Sequence, residues 1–117
     1  RLKRSALRDV AGMVRSFHYA AHGATILRPV VQTVDPQELS NLADQWYYYV
    51  TAVFLDSYIE TVGDAEFLPG DKQDFGLLLG VFLLEKSIYE VGYELNNRPN
   101  WLAIPLRGVQ QLSKGKL

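Results

Sequence analysis

The sequence predicts an all-α fold, a bundle of three long helices plus a short C-terminal helix, in one domain over residues 1–117. Three observations carry that expectation. Apolar residues recur at three- and four-residue steps through three separate windows, each of roughly twenty residues or more. Each window is bounded by Pro, Gly or Asn, the residues that start or stop helices. The β-branched run Val30 to Val34 stands alone, and one strand cannot make a sheet.

In the first window Leu7, Val10, Ala11, Val14, Phe17, His18, Ala21 and Thr25 predict a helix from Ser5 to about Leu27, with Ser5 as N-cap and Pro29 as its end. Its small residues, Ala6, Ala11, Gly12, Ala20, Ala21, Gly23 and Ala24, cost some helix propensity where they are Gly, but they let a neighbouring helix approach closely. Val30 to Val34 is then a linker. Asp35, Pro36 and Glu38 supply an N-cap, a first-turn Pro and a capping-box acid, so the second helix should run from Pro36 to about Thr61. Its stripe Leu39, Leu42, Trp46, Tyr49 and Val53, with Ala43, Tyr47, Val50, Phe54 and Tyr58 beside it, is wide enough to bury against two neighbours. Gly63 fits its C-terminus, and Phe67 to Gly70 form a connector.

Asp71 and Asp74 repeat the helix-start signal for the third helix. Leu77 to Leu84 are apolar or Gly all the way round, which predicts burial on every side and makes Leu77 to Leu106 the stretch around which the chain is arranged. One row reads Leu77, Val81, Leu84, Ile88, Val91 and Leu95; a second reads Leu78, Phe82, Glu85 and Tyr89. From Glu85 onward charged and aromatic residues interleave, until Asn96 and Asn97 stop the helix and Pro99 prevents its return. Trp101 and Ile104 suggest a hydrophobic clasp, and Pro105 a last helix ending near Ser113.

With 48% hydrophobic and 21% charged residues and a net charge of -1, the composition is that of an ordinary globular domain and selects no partner class. Charge is unevenly spread: residues 1–34 carry six Arg or Lys against Asp9, residues 35–94 carry twelve acids against Lys72 and Lys86, and residues 95–117 add four positive charges. In a closed bundle the two basic ends could form one positive region, but solvated faces are the expected outcome, since exposed ion pairs contribute only about 0–1 kcal/mol each. No strongly basic balance points to nucleic acid. The absence of Cys excludes disulfides, thiolate nucleophiles and zinc–thiolate sites. No run reaches the ~18 apolar residues of a membrane span, and Arg1 to Arg8 is not followed by a signal-peptide core, so a cytoplasmic setting is expected. The first residue is Arg1 rather than Met, which suggests a piece of something longer.

Few constellations promise chemistry. Asp74-Phe75-Gly76 spells a kinase metal-binding triplet, but in a kinase that triplet follows a strand and an His-Arg-Asp loop. Here the corresponding window reads FLDSYIE inside the second helix, so Asp74 is read as a first-turn helix acid. His18 and His22 stand at i and i+4, but the spacing identifies no third ligand, and a packed or hydrogen-bonded pair is expected rather than a metal site. No Gly-rich phosphate loop or G-x-S-x-G is present, so no catalytic residue and no metal ligand are assigned. Glu85, in the second apolar row, is expected to be buried and to pair with an Arg or Tyr of the first helix. Glu90, Glu94, Asn97 and Arg98 project at four- and seven-residue steps with Tyr89 and Tyr93 alongside. Such a mixture suits sugar hydroxyls and sugar faces; a solvated helix end would look the same.

RDVAGMVRSFHYAA (Arg8 to Ala21) and FLLEKSIYEVGYELNNRPNWLAIPLRG (Phe82 to Gly108), in this order and with FLDSYIE and FLPGD between them, closely resemble the C-terminal region of bacterial maltokinases, especially those fused behind an amylase-like trehalose synthase. That family is similar to aminoglycoside phosphotransferases and has a protein-kinase-like fold, in which ATP with Mg2+ phosphorylates maltose to maltose 1-phosphate. The resemblance implies the helical end of a kinase-like C-terminal lobe, with the nucleotide lobe, the His-x-Asp loop and the Asp-Phe-Glu metal site upstream of Arg1 and no cofactor held here. It also implies sugar contacts from Glu90 and Arg98, near Tyr89, Tyr93 and Glu94. His18 departs from the family, where an acid often stands. The alternative is a non-catalytic helical module that docks a trehalose synthase domain.

Overall fold

The computed structural model describes residues 2–27, 35–62 and 72–116. Helix α1 spans Leu2–Leu27, α2 Pro36–Val62, α3 Lys72–Asn97 and α4 Ala103–Ser113, with a 3-10 turn at Pro99–Trp101 before α4. The fold is all-α, as the periodicity predicts. The expected linker at 30–34, the end at Gly63, the connector at 67–70 and the Asp71 cap lie outside the described residues.

Helix boundaries follow local chemistry. The carbonyl of Asp35 accepts from the Leu39 N–H at 3.1 Å, so α2 begins where Pro36 predicts, with Glu38 in its first turn. Asp74 sits exposed in the first turn of α3. The Asn97 side-chain amide donates to the Tyr93 carbonyl at 2.9 Å where α3 ends, and Pro99 steers Arg98 into extended backbone (φ −144°, ψ 71°). Pro105 lies in the first turn of α4, where its missing N–H costs nothing. Ser5 does not cap α1, because the helix is already formed from Leu2.

Helices α1 and α3 share the middle of the bundle, with α2 against α1 and α4 against α3. Helix α1 has α2 on one side and α3 on the other, and also touches α4. Phe17 meets Phe54, His18 meets Tyr47 and His22 meets Asp44, so α1 and α2 are antiparallel. Arg15 meets Glu90 and Tyr19 meets Glu94, so α1 and α3 are parallel. The core gathers Leu7, Val10, Ala11 and Val14 of α1, Ala43 and Tyr47 of α2, and Phe75, Leu79, Phe82 and Leu83 of α3.

This arrangement corrects two expectations. Leu77 is 70% and Val81 54% exposed, and Ile88 and Leu95 are exposed with them, so the all-round apolar part of α3 is buried on one face alone. On α2 the Leu42, Trp46, Tyr49 and Val53 stripe is likewise exposed, while Ala43, Tyr47 and Thr51 are buried. The reason is geometric: in a slab of 49 × 29 × 21 Å, α2 packs mainly on α1, and the two neighbours of α3, α1 and α4, touch one another and so cover one side of it. Apolar composition records what a helix can bury, whereas burial also needs a neighbour.

Candidate functional site

Halfway along, the inner face of α1 turns from Leu7, Val10 and Val14 to Arg15, His18 and His22, all buried. On α3 the inner face changes in step, from Phe75, Leu79 and Leu83 to Ser87, Glu90 and Glu94. The parallel pairing of the two helices sets basic against acidic residues in this half of the bundle.

Arg15 is 2% exposed; its Nε donates to Glu90 Oε1 at 2.8 Å, and Nη2 lies 2.8 Å from the same oxygen. The Tyr19 ring lies beneath the guanidinium, 5.7 Å from centroid to Cζ. Burial pushes the Glu90 carboxyl above the ordinary range, and the charge and hydrogen bond of Arg15 offset that in part. Glu90 Oε2 takes no hydrogen bond from the described residues.

One turn on, Glu94 is 1% exposed and fully engaged. Arg98 grips it with Nε to Oε1 at 2.9 Å and Nη2 to Oε2 at 2.8 Å, and the Tyr19 hydroxyl donates to Oε2 at 2.6 Å. Hydrogen bonding from Arg98 holds the Glu94 carboxyl below its usual value against the opposing effect of burial. Burial, then the bond to Glu94, pushes the Tyr19 hydroxyl up, so it stays a donor. The Arg98 guanidinium lies 4.2 Å over Trp101 and 5.8 Å from the Tyr93 ring, and Trp101 stacks on Tyr19 with planes 21° apart. Trp101 also closes on Gly23, where an added Cβ would come within 3.4 Å of the indole. The expected clasp at Trp101 and Ile104 is therefore present, with Ile104 buried below it.

On the other side of α1, Asp44 of α2 collects His22 Nε2 at 3.0 Å, Gln111 Nε2 at 3.1 Å and a two-pronged contact from Arg107. Burial favours the neutral acid, but hydrogen bonds from Arg107 and Gln111 outweigh it and hold Asp44 below the usual range. His18 Nε2 lies 3.1 Å from Gln111 Oε1, and the two imidazoles pack with centroids 4.6 Å apart. Burial, then the positive charge of Arg15 and His22, lowers His18 to about 3, and burial also lowers His22 despite Asp44. Both rings are neutral near pH 7, which is the packed, hydrogen-bonded pair expected from i, i+4 spacing. His22, Thr25, Ser40, Arg107 and Gln110 line an open groove of about 360 Å³ beside them.

The structure thus brings Glu90, Glu94, Arg98 and Tyr93 together and adds Arg15, Tyr19 and Trp101, which the sequence reading did not assign. Glu94 is spent internally, whereas Arg98 keeps 43% of its side chain exposed and Tyr93 is exposed beside it. Tyr89 is exposed farther along, over a groove of about 320 Å³ floored by Ala11 and Phe82 and edged by Arg8, Glu85 and Lys86. Glu85 is a correction. Its carboxylate faces an Arg of α1, Arg8, at 3.9 Å, but its side chain is 64% exposed rather than buried, because the buried face of α3 passes from Phe82 and Leu83 to Ser87 and Glu94 and leaves Glu85 outside it. Among the described residues no helix is long and apolar enough to cross a membrane, and no three His, Asp or Glu side chains are grouped to hold a metal. What the site can do is hydrogen-bond and stack: a free carboxylate oxygen at Glu90, a guanidinium edge at Arg98, and the rings of Tyr89 and Tyr93. No protein-family model matches the chain.

Proposed function

We propose that the chain is the C-terminal helical part of a maltokinase-type protein, of the kind fused behind an amylase-like trehalose synthase, and that it helps to form the sugar side of the cleft. The observation that supports this reading is the division of α3. Its outward row of Leu77, Val81, Ile88 and Leu95 is an apolar face of a size that more of the same protein would cover. Off that row, in the last turns of α3 and just past its end, Glu90, Tyr93 and Arg98 form a polar, aromatic edge. Glu90 Oε2 accepts from a sugar hydroxyl, Arg98 donates to a hydroxyl or ring oxygen, and the Tyr rings cover the sugar's apolar face. Glu94 anchors Arg98. ATP, Mg2+ and the catalytic loop belong to the preceding lobe, so the 117 residues are catalytically incomplete alone.

In the full-length protein, Tyr93→Ser, Glu90→Gln and Arg98→Ala should each raise the Michaelis constant for maltose by roughly ten- to a hundredfold, with that for ATP within about twofold. Equal effects on both substrates, or a fall in melting temperature alone, would mark the three as structural.

The exposed face of α2 favours a second reading, a non-catalytic module docking a trehalose synthase domain: Tyr49 is 71% and Trp46 47% exposed, although Tyr47 between them is buried. Unchanged maltose kinetics in the α3 variants, with loss of synthase binding in Tyr49→Ala, would select it.

A further inference from the structure

From the exposed stripe of α2 we infer a docking site for a basic amphipathic helix of a partner protein, a reading that holds whether or not the chain belongs to a kinase. Leu42, Trp46, Tyr49 and Val53 follow one another at steps of four, three and four residues and are all exposed, the spacing of a helix-pairing seam. The same line runs into Glu38 before Leu42 and into Asp56 and Glu60 after Val53, each also exposed. No Lys or Arg occurs anywhere in α2. The seam is therefore apolar and aromatic in the middle and acidic at both ends.

The charge decides among occupants. A second copy pairing α2 with α2 would set acids against acids in either orientation, which like-charge repulsion disfavours. An anionic lipid surface would meet the same acids and be repelled. A helix carrying Lys or Arg at both ends and aliphatic residues between satisfies every position. Glu38 to Glu60 spans about 33 Å at 1.5 Å per residue, so the partner needs about six turns, with its apolar seam confined to the central three. Trp46 and Tyr49 at the centre supply the large, stiff contact area that binding hot spots favour. The opposite face of α2, through Ala43, Tyr47 and Thr51, is already committed to α1, so docking requires no rearrangement of the bundle.

The test uses the full chain and two fluorescein-labelled helical peptides of 22 residues, identical in a central Leu/Ile seam, one with Lys and Arg at both ends and the other with Glu. Anisotropy titrations should show the basic peptide binding at least about tenfold more tightly than the acidic one, with the difference shrinking as salt rises. Trp46→Ala and Tyr49→Ala should each weaken it about tenfold or more. A Glu38→Lys, Glu60→Lys double variant, whose changes are remote from the core, should reverse the preference between peptides; circular dichroism verifies that each variant is folded. Equal binding of both peptides, binding indifferent to all of these substitutions, no binding of the basic peptide at millimolar concentration, or a self-dimer dissolved by Tyr49→Asp would each overturn the inference.

Discussion

Arg15 and Gly108 occupy one another's space: a Cβ built on Gly108 would lie 2.7 Å from Arg15 Nη1 and 3.1 Å from its Cζ. The glycine therefore lets α4 close over a buried guanidinium, and the guanidinium in turn holds Glu90. Gly108→Ala should gain up to about 1 kcal/mol of helix propensity. Against that stands overpacking of a group that cannot leave its carboxylate, at roughly 1–3 kcal/mol or more. The expected net effect is destabilisation, measured by urea unfolding. In an Arg15→Met background the same substitution should cost much less. Additive costs would mean that the two residues do not share that space.

The Arg15–Glu90 pair also carries a pH signature. Burial raises the folded-state pKa of Glu90, so the native state holds its proton more tightly than the unfolded chain. Stability from this group is then greatest below its ordinary value and falls as pH rises through the raised one. Removing Arg15 widens that window, because only the weaker pull of the Lys86 charge then offsets burial of the carboxylate. Arg15→Met should thus cost more at pH 8, on the order of 3–5 kcal/mol, than at pH 5, where Glu90 can take up a proton. Unfolding at the two pH values measures this, and a loss independent of pH would show that Glu90 reaches solvent without Arg15.

Much of the fold was legible because it rests on local chemistry. Pro36 after Asp35, Asn97 before Pro99, and the run to Ser113 set helix ends where the structure has them. The Glu94–Arg98 pair is an i, i+4 contact readable within one turn. What was not legible depends on register between distant helices. Arg15 and Glu90 are 75 residues apart, and choosing Glu90 rather than Glu85 as the buried acid requires knowing that α1 and α3 run parallel. Asp44 draws on partners 22, 63 and 67 residues away on two helices, and no spacing within α2 announces it. That α1 is as central as α3 was hidden for a related reason. The apolar run of α3 is denser than that of α1, but α1, with Ala11, Ala21 and Gly23 on its packed faces, has neighbours on both sides.

The Tyr19 hydroxyl lends Glu94 a third hydrogen bond beside a half-exposed Arg98. Tyr19→Phe should cost about 1–2 kcal/mol, while keeping the ring that stacks on Trp101. Since Arg98 still grips Glu94, helix content should be unchanged. A cost under about 0.3 kcal/mol in urea unfolding would mean that water takes the place of the hydroxyl.

Acid should open the bundle first at the His18–His22 seam. His18 is lowered to about 3 by burial and by the neighbouring positive charges, so on acidification the unfolded chain takes up a proton near pH 6.5 while the folded chain does not. A lowered histidine pKa makes the folded state less favourable as pH falls, and the loss accumulates from about pH 6.5 downward. At pH 4.5 His18 alone accounts for roughly 2–3 kcal/mol. His22 acts in the same direction, and Asp44, whose pKa is depressed, adds its own loss as pH falls through and below the ordinary carboxylate range. His18→Gln removes the titrating ring but keeps a donor for Gln111. It should lower stability at pH 7 and flatten the slope between pH 6.5 and 4.5 by about one proton. Urea unfolding across that range, with proton uptake on unfolding measured by calorimetry in two buffers, gives the slope directly. An unchanged slope in His18→Gln would show that His18 is protonated in the folded chain, and that Gln111 and Asp44 share a charged imidazole rather than a neutral one.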